Sequence, residues 1–277
     1  MKFKCLVFLA IVCLQATAGA QRFSLGTAQS FGVLGGSTVT NTGPTVIHGN
    51  VGVSPGSAVT GFPPGIVVAP GTIHAGDAVA LQAQNDVTTA YNVLAGMAPT
   101  QNLTGQDLGG KTLTPGVYFF SSSAQLTGSL TLNTLGNPDA LFVFQIGSTL
   151  TTASASSVQF INGPDNCNVF WQVGSSATLG TTTSFKGNIL ANISDTLNTG
   201  SNVLLSGRIL ARNGAVTLDS DNISIAGCAL ITGQAGTFGA AVPEPGVIAV
   251  LLAGSWIPIA AVLARRRKGI SKTTPSL

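Results

Sequence analysis

The fold this sequence predicts is mainly β: a solenoid of short stacked coils with one long helix laid along it. Three observations carry the prediction. Near-copies of a twenty-residue block recur along the chain, and the first apolar run of each block is apolar on both alternations. A single stretch, near 75–95, shows helical rather than strand periodicity.

The two ends read as targeting segments. Lys2 and Lys4 precede an apolar run over 5–14 and the small residues Ala18-Gly19-Ala20, so 1–20 is expected to be a signal peptide cleaved before Gln21. The run is too short to span a bilayer. A lipoprotein signal would want small residues just before Cys13, where Ile11 and Val12 stand. At the other end Pro243-Glu244-Pro245 is followed by an apolar stretch over 247–264, then Arg265-Arg266-Arg267-Lys268 and a tail over 269–277. The stretch is long enough to cross a membrane, with the cations placed as the positive-inside rule requires. The segment 241–268 resembles the PEP-CTERM sorting signal of Gram-negative bacteria. That resemblance implies transient membrane insertion and cleavage by an exosortase after signal peptidase has acted, leaving the body secreted or at the cell surface. A retained single-pass anchor is the alternative.

Setting the signals aside reverses the charge. The chain has a formal net charge of +3, yet residues 21–242 hold Arg22, Lys111, Lys186, Arg208 and Arg212 against eight aspartates and no glutamate, a balance of −3. Nothing in the body suggests nucleic acid. Only Cys167 and Cys228 remain in it. Three coils separate them, roughly 14 Å at about 4.8 Å per coil, beyond the approximately 7 Å limit on Cα separation in a disulfide. Free thiols are expected.

The repeats are clearest over 168–227: NVFWQVGSSATLGTTTSFKG, NILANISDTLNTGSNVLLSG and RILARNGAVTLDSDNISIAG. Looser copies begin near Phe31, Val51, Val117 and Leu141. Three short β-type runs split by Gly, Ser and Asn fit one solenoid turn, and stacking supplies the core that a single turn lacks. A leucine-rich repeat shares the period, but its Leu-x-x-Leu-x-Leu signature is absent.

In the first run Val169 and Trp171 oppose Phe170, Phe142 and Phe144 oppose Val143, and Ile189 and Ile209 adjoin Leu190 and Leu210. Such strands are buried on both faces, so something covers that side. The stripe Val79, Ala83, Val87, Ala90, Tyr91, Leu94 marks the cover as a helix. About twenty residues span roughly 30 Å, the width of about six strands.

The second run repeats an inward leucine flanked by small polar residues: Gln125-Leu126-Thr127, Thr149-Leu150-Thr151, Thr178-Leu179-Gly180, Thr196-Leu197-Asn198 and Thr217-Leu218-Asp219. Alternation sends the flanking residues outward, and stacking ranks them on a flat surface. High β-propensity alone would also place Thr there, but the Lys and Glu that usually cover an exposed sheet are almost absent.

The segments at 25–65 (LGTAQSFGVLGGSTVTNTGPTVIHGNVGVSPGSAVTGFPPG), 72–96, 103–132, 168–180 and 208–219 resemble the microbial ice-binding domain. The resemblance covers almost the entire body, 21–240. It implies a right-handed, discontinuous β-solenoid of triangular cross-section with one long α-helix packed alongside, its N-terminal coils packed among later ones. It further implies that a flat face away from the helix binds ice. Carried onto this chain, that face comprises Thr38, Thr40, Thr127, Thr149, Thr151, Thr178, Thr196, Asn198 and Thr217, with Asp219 and Asn198 as interruptions. The expected partner is an ice crystal surface, the expected state a monomer, with no cofactor and no metal.

An enzyme is the first competing class, since solenoids also carry lyases and glycosidases. Paired carboxylates are wanting: the body has no Glu, and Asp219 with Asp221 reads as a turn. His48 and His74 read as isolated, without metal-ligand spacing. The second competing class is an exported structural or adhesive protein of a surface matrix.

Overall fold

The computed structural model of the chain describes residues 23–164, 168–197 and 202–226. All four cysteines, Cys167 and Cys228 among them, Asn198, residues 1–20 and the whole 241–268 segment lie outside them. Among the described residues no helix is long and apolar enough to cross a membrane.

Each coil contributes three short strands, and every pairing between coils is parallel. Among the described residues, a 15-stranded sheet wraps two faces of the solenoid and a 7-stranded sheet forms the third. The wrapped corner is visible inside two eight-residue strands, Ser184–Ala191 and Leu204–Ala211, which bend at the paired glycines Gly187 and Gly207. Both have left-handed φ, +110° and +150°, and a Cβ on Gly207 would stand 1.9 Å from the Gly187 carbonyl oxygen. Only glycine lets one coil turn directly above the other here.

The order of coils differs from the order of the chain. The first coil strand, Phe31–Gly35, pairs with Leu204–Ala211 through Val33↔Ile209 and Leu34↔Leu210. The two N-terminal coils therefore stack on the end of the last C-terminal coil rather than between later ones, and the solenoid is discontinuous. The terminal coil closes with Pro55, Pro63, Pro64 and Pro70 at its bends, residues that lack the N–H an incoming strand would use.

Inside, alternate residues of the three faces meet in one apolar core. Tyr118, Phe144 and Trp171 stack at successive levels, Phe144 on Trp171 at 3.9 Å between centroids and 8° between planes. The opposite alternation builds a second cluster, in which Leu34, Val143, Phe170, Leu190 and Leu210 pack under the helix. This is the two-sided burial expected from the sequence.

The helix spans Ala78–Ala95 and its buried residues are Ala80, Ala83, Gln84, Val87, Ala90, Tyr91 and Leu94. Val79, expected in that stripe, is exposed, and Ala80 takes its place. Ala80 stands three and four residues before Ala83 and Gln84, so the helical period puts it, and not Val79, on the buried face. Asp77 caps the first turn by accepting a 2.8 Å hydrogen bond from the Ala80 N–H. Polar contacts then register the helix across the strands in spatial order. Gln84 Nε2 donates to the Ala211 carbonyl (2.9 Å), Tyr91 Oη to Val173 (3.3 Å), and Gln145 Nε2 to the carbonyls of Leu94 and Met97 (2.7 and 2.8 Å). The last pair satisfies carbonyls that a helix end leaves open. Leu94 is 0 % exposed within this cluster. Leu94→Asp is expected to destabilise by about 3 kcal/mol; an unchanged melting temperature would contradict the docked helix.

Candidate functional site

The helix packs on strands of the 15-stranded sheet, which leaves the face made by the 7-stranded sheet away from it. Its strands run in the spatial order Ala124–Leu126, Leu150–Thr152, Ala177–Leu179, Asp195–Leu197, Val216–Leu218, Thr38–Asn41 and Ala58–Thr60. In the three-residue strands of the C-terminal coils the central residue faces outward and its neighbours face the core, whereas in Thr38–Asn41 and Ala58–Thr60 Val39 and Val59 face the core and the residues beside them face outward.

Register decides which outward residues align. Gln125 pairs with Thr151, Thr151 with Thr178, Thr178 with Thr196, Thr196 with Thr217, Thr217 with Thr40, and Thr40 with Thr60. Six threonines thus stand side by side without a break, at a repeat of about 4.8 Å. The chain orders them 151, 178, 196, 217, 40, 60, so the N-terminal coils supply a third of the rank. Gln125 ends it, beside an isolated bridge to Asp107. No member of the rank is charged.

Of the residues expected from the sequence, Thr40, Thr151, Thr178, Thr196 and Thr217 are in the rank. Thr38, Thr127 and Thr149 are not. Thr149 precedes its strand, in the row of Ser123 and Ser176, and donates to Ser123 Oγ at 2.8 Å. Thr38 pairs with Ala58 in the corresponding row of the N-terminal coils. Thr127 sits past the strand at a corner, its N–H held by Asp107 Oδ1 at 3.0 Å. Asn198 lies outside the described residues. Asp219 is at the Thr127 corner, not in the rank, so it does not interrupt it.

Thr149 falls outside the rank because of one strand's register. The sequence pattern treats Leu150 as the equivalent of Leu126 and Leu179, but Leu150 pairs with Ala177 and Ala124. The inward position opposite Leu126 is Thr152, buried, with its hydroxyl 3.1 Å from that of Thr183 and accepting the Gly180 N–H at 2.9 Å. Thr60 was missed, although Ser57-Ala58-Val59-Thr60 repeats Ser37-Thr38-Val39-Thr40 and signals it.

His74, read as isolated, has partners. Its Nδ1 lies 2.8 Å from Asp77 Oδ2 and its Nε2 2.9 Å from Thr72 Oγ1. Asp77 caps the helix with its other oxygen, and the Ala80 N–H followed by His74 holds its carboxyl below the usual range. The line anchors the helix start to the terminal strand Ile73–Ala75. Asp221 likewise behaves as a turn residue, accepting from the backbone N–H of Val203 and Asp219.

What the face offers is a flat lattice of methyl and hydroxyl groups, without charge and without a base beside any hydroxyl of the rank. Such a surface suits many weak simultaneous contacts to an ordered array.

The family model of ice-binding-like proteins matches residues 33–224. An ice-binding protein of Nostoc sp. (strain HG1) is 59% identical over 95% of this chain and 96% of its own length. One from Colwellia sp is 36% identical over 75% of this chain and 85% of its own. Among solved structures, an ice-binding protein from an Antarctic biological consortium superposes with a TM-score of 0.70 at 46% identity, covering 78% of this chain and 96% of the other. That of the Antarctic ascomycete Antarctomyces psychrotrophicus gives 0.70 at 40% identity, over 74% and 98%.

Proposed function

The chain belongs to the ice-binding-like family, and from that premise we propose that it adsorbs to ice through the rank Thr151, Thr178, Thr196, Thr217, Thr40 and Thr60. The observation that carries this is the unbroken register of six exposed or half-exposed threonines on a sheet face with no charge among them. The methyls order adjacent water and the hydroxyls anchor it, so the ordered layer merges with the ice lattice. Flatness lets all six positions act together. The step is adsorption, and it requires no nucleophile, metal or cofactor. Thermal hysteresis and ice-affinity adsorption of the purified protein test it. Neither being present would leave an adhesive or matrix role as the function of the same solenoid.

For the ends, we read 1–20 as a signal peptide and 241–268 as a PEP-CTERM segment cut by an exosortase, so that the protein works outside the cell or on its surface. The support is the residue pattern itself: Lys2 and Lys4 before an apolar run, and Pro243-Glu244-Pro245 before another that ends in Arg265-Arg266-Arg267-Lys268. Mass spectrometry of exported protein is expected to find residues 1–20 and everything beyond the Pro243 region missing. An intact tail on membrane-bound protein would instead make the molecule a tethered ice adhesin.

A further inference from the structure

Directly beside the rank, one core position holds a group that does not belong in a core. Asp195 precedes Thr196 and points inward, in the file that its neighbours fill with Ala177 and Val216. It is 0 % exposed, and neither carboxyl oxygen has a hydrogen-bond partner. The strands packed against Asp195–Leu197 face it with Ala177, Leu179, Val216 and Leu218, and the long strand behind adds Leu205, Ile209 and Ala211 to the same core. None of these titrates. Among the described residues the charged groups on or beside those elements are committed elsewhere: Arg208, on the long strand, donates to the Gln29 carbonyl and to Asn188 Oδ1. Arg212 lies over the Tyr91 ring and bonds Asn192, and Asp221 accepts backbone N–H groups at the far end of Val216–Leu218, next to Asp219.

We propose that Asp195 is a proton-operated latch on the threonine rank: neutral, it holds Thr196 outward between Thr178 and Thr217; ionised, it turns to solvent and takes Thr196 out of the rank. The geometry leaves little choice. An ionised carboxylate with no partner in an apolar core must reach water, and along a strand successive side chains alternate faces. Turning Asp195 out therefore turns Thr196 in. The gap would fall in the middle of the six, where it divides the face. Burial alone pushes the Asp195 carboxyl well above its ordinary value.

The sign follows. With the folded-state value raised, the folded protein keeps a proton that the unfolded chain has lost, so stability is fullest below the ordinary carboxylate range. It falls as pH rises towards the folded-state value. Asp77 and Asp107 have lowered values and act in the opposite direction, but only in the acid range.

The effect on ice rests on the function proposed above; the effect on the strand does not. The test compares the purified protein with Asp195→Ala, which copies Ala177, and Asp195→Asn, which keeps the shape and cannot ionise. Above about pH 5, the folding constant of the parent relative to either variant is expected to fall about tenfold per pH unit, until the folded-state value is reached. Thermal hysteresis of the folded parent is expected to hold over that interval, where Asp195 keeps its proton, and to decline once pH passes the folded-state value, while that of Asp195→Ala stays level. Parallel stability profiles for all three proteins would overturn the latch. The expected stability profiles with no ice adsorption at any pH would overturn the ice-binding reading, and with it the latch's action on ice.

Discussion

Thr196→Tyr and Thr217→Tyr are each expected to abolish most of the thermal hysteresis while leaving the fold as it is. Thr196 and Thr217 are direct partners in the parallel ladder at the centre of the rank, and both point away from the core. A tyrosine ring at either place displaces no buried atom, so stability is expected to change by no more than about 0.5 kcal/mol. The ring nevertheless stands proud of a surface whose contacts act only together. The proper control is another outward threonine of the same solenoid. Thr131 sits in the 15-stranded sheet, off the rank's face, paired with Gln159 and Thr112, and Thr131→Tyr is expected to keep full activity. Arg212 serves less well, because its guanidinium lies 4.4 Å from the Tyr91 ring centroid and bonds Asn192, so its loss loosens the helix. Equal activity in the Thr131, Thr196 and Thr217 variants would place ice binding on some other surface.

The sequence was most informative where a pattern is enforced by burial on both sides. Val169, Phe170 and Trp171 announce a strand between two apolar layers, and the helical stripe at 83–94 announces the second layer. Both readings hold in the structure. Exposed positions carry less information, because a leucine between two threonines looks the same at either inward position of a three-residue strand. Leu150 and Leu126 differ in register by two residues, and the partner strand decides between them. That ladder contact comes from elsewhere in the chain. For the same reason the local repeat could not show that Thr40 lies next to Thr217, a neighbour 177 residues away in the chain. Asp195 went unnoticed beside Thr196, since a polar residue in a polar-looking run gives no sign of facing inward.

The junction that brings Thr40 to Thr217 leads to the last expected result: Arg208→Ala should destabilise the protein by about 3–4 kcal/mol, the combined effect of a core cavity and unsatisfied acceptors. Arg208 follows Gly207 at the wrapped corner and is 2 % exposed. Its Nε and Nη2 donate to the Gln29 carbonyl at 3.1 and 2.6 Å, and Nη1 donates to Asn188 Oδ1 at 2.9 Å. Asn188 passes the connection to the Val169 carbonyl at 3.3 Å, so one network runs along the corner from the N-terminal segment through three C-terminal coils. Burial draws the guanidinium value down to about 10, which leaves it charged at neutral pH. Arg208→Lys tests the fork directly, since a single ammonium cannot reproduce two donors to one carbonyl and a third to the coil below. It is expected to lose about 2 kcal/mol. The loss should concentrate where Arg208 holds the first N-terminal coil, raising hydrogen exchange in Phe31–Gly35 and Thr38–Asn41 before the strands Val169–Val173 and Ala177–Leu179 respond. Ice activity should weaken in step, because a loosened N-terminal coil withdraws Thr40 and Thr60 from the rank. A variant that melts with the parent and exchanges uniformly would show that strand pairing alone, Val33 on Ile209 and Thr40 on Thr217, suffices to join the two ends of the chain.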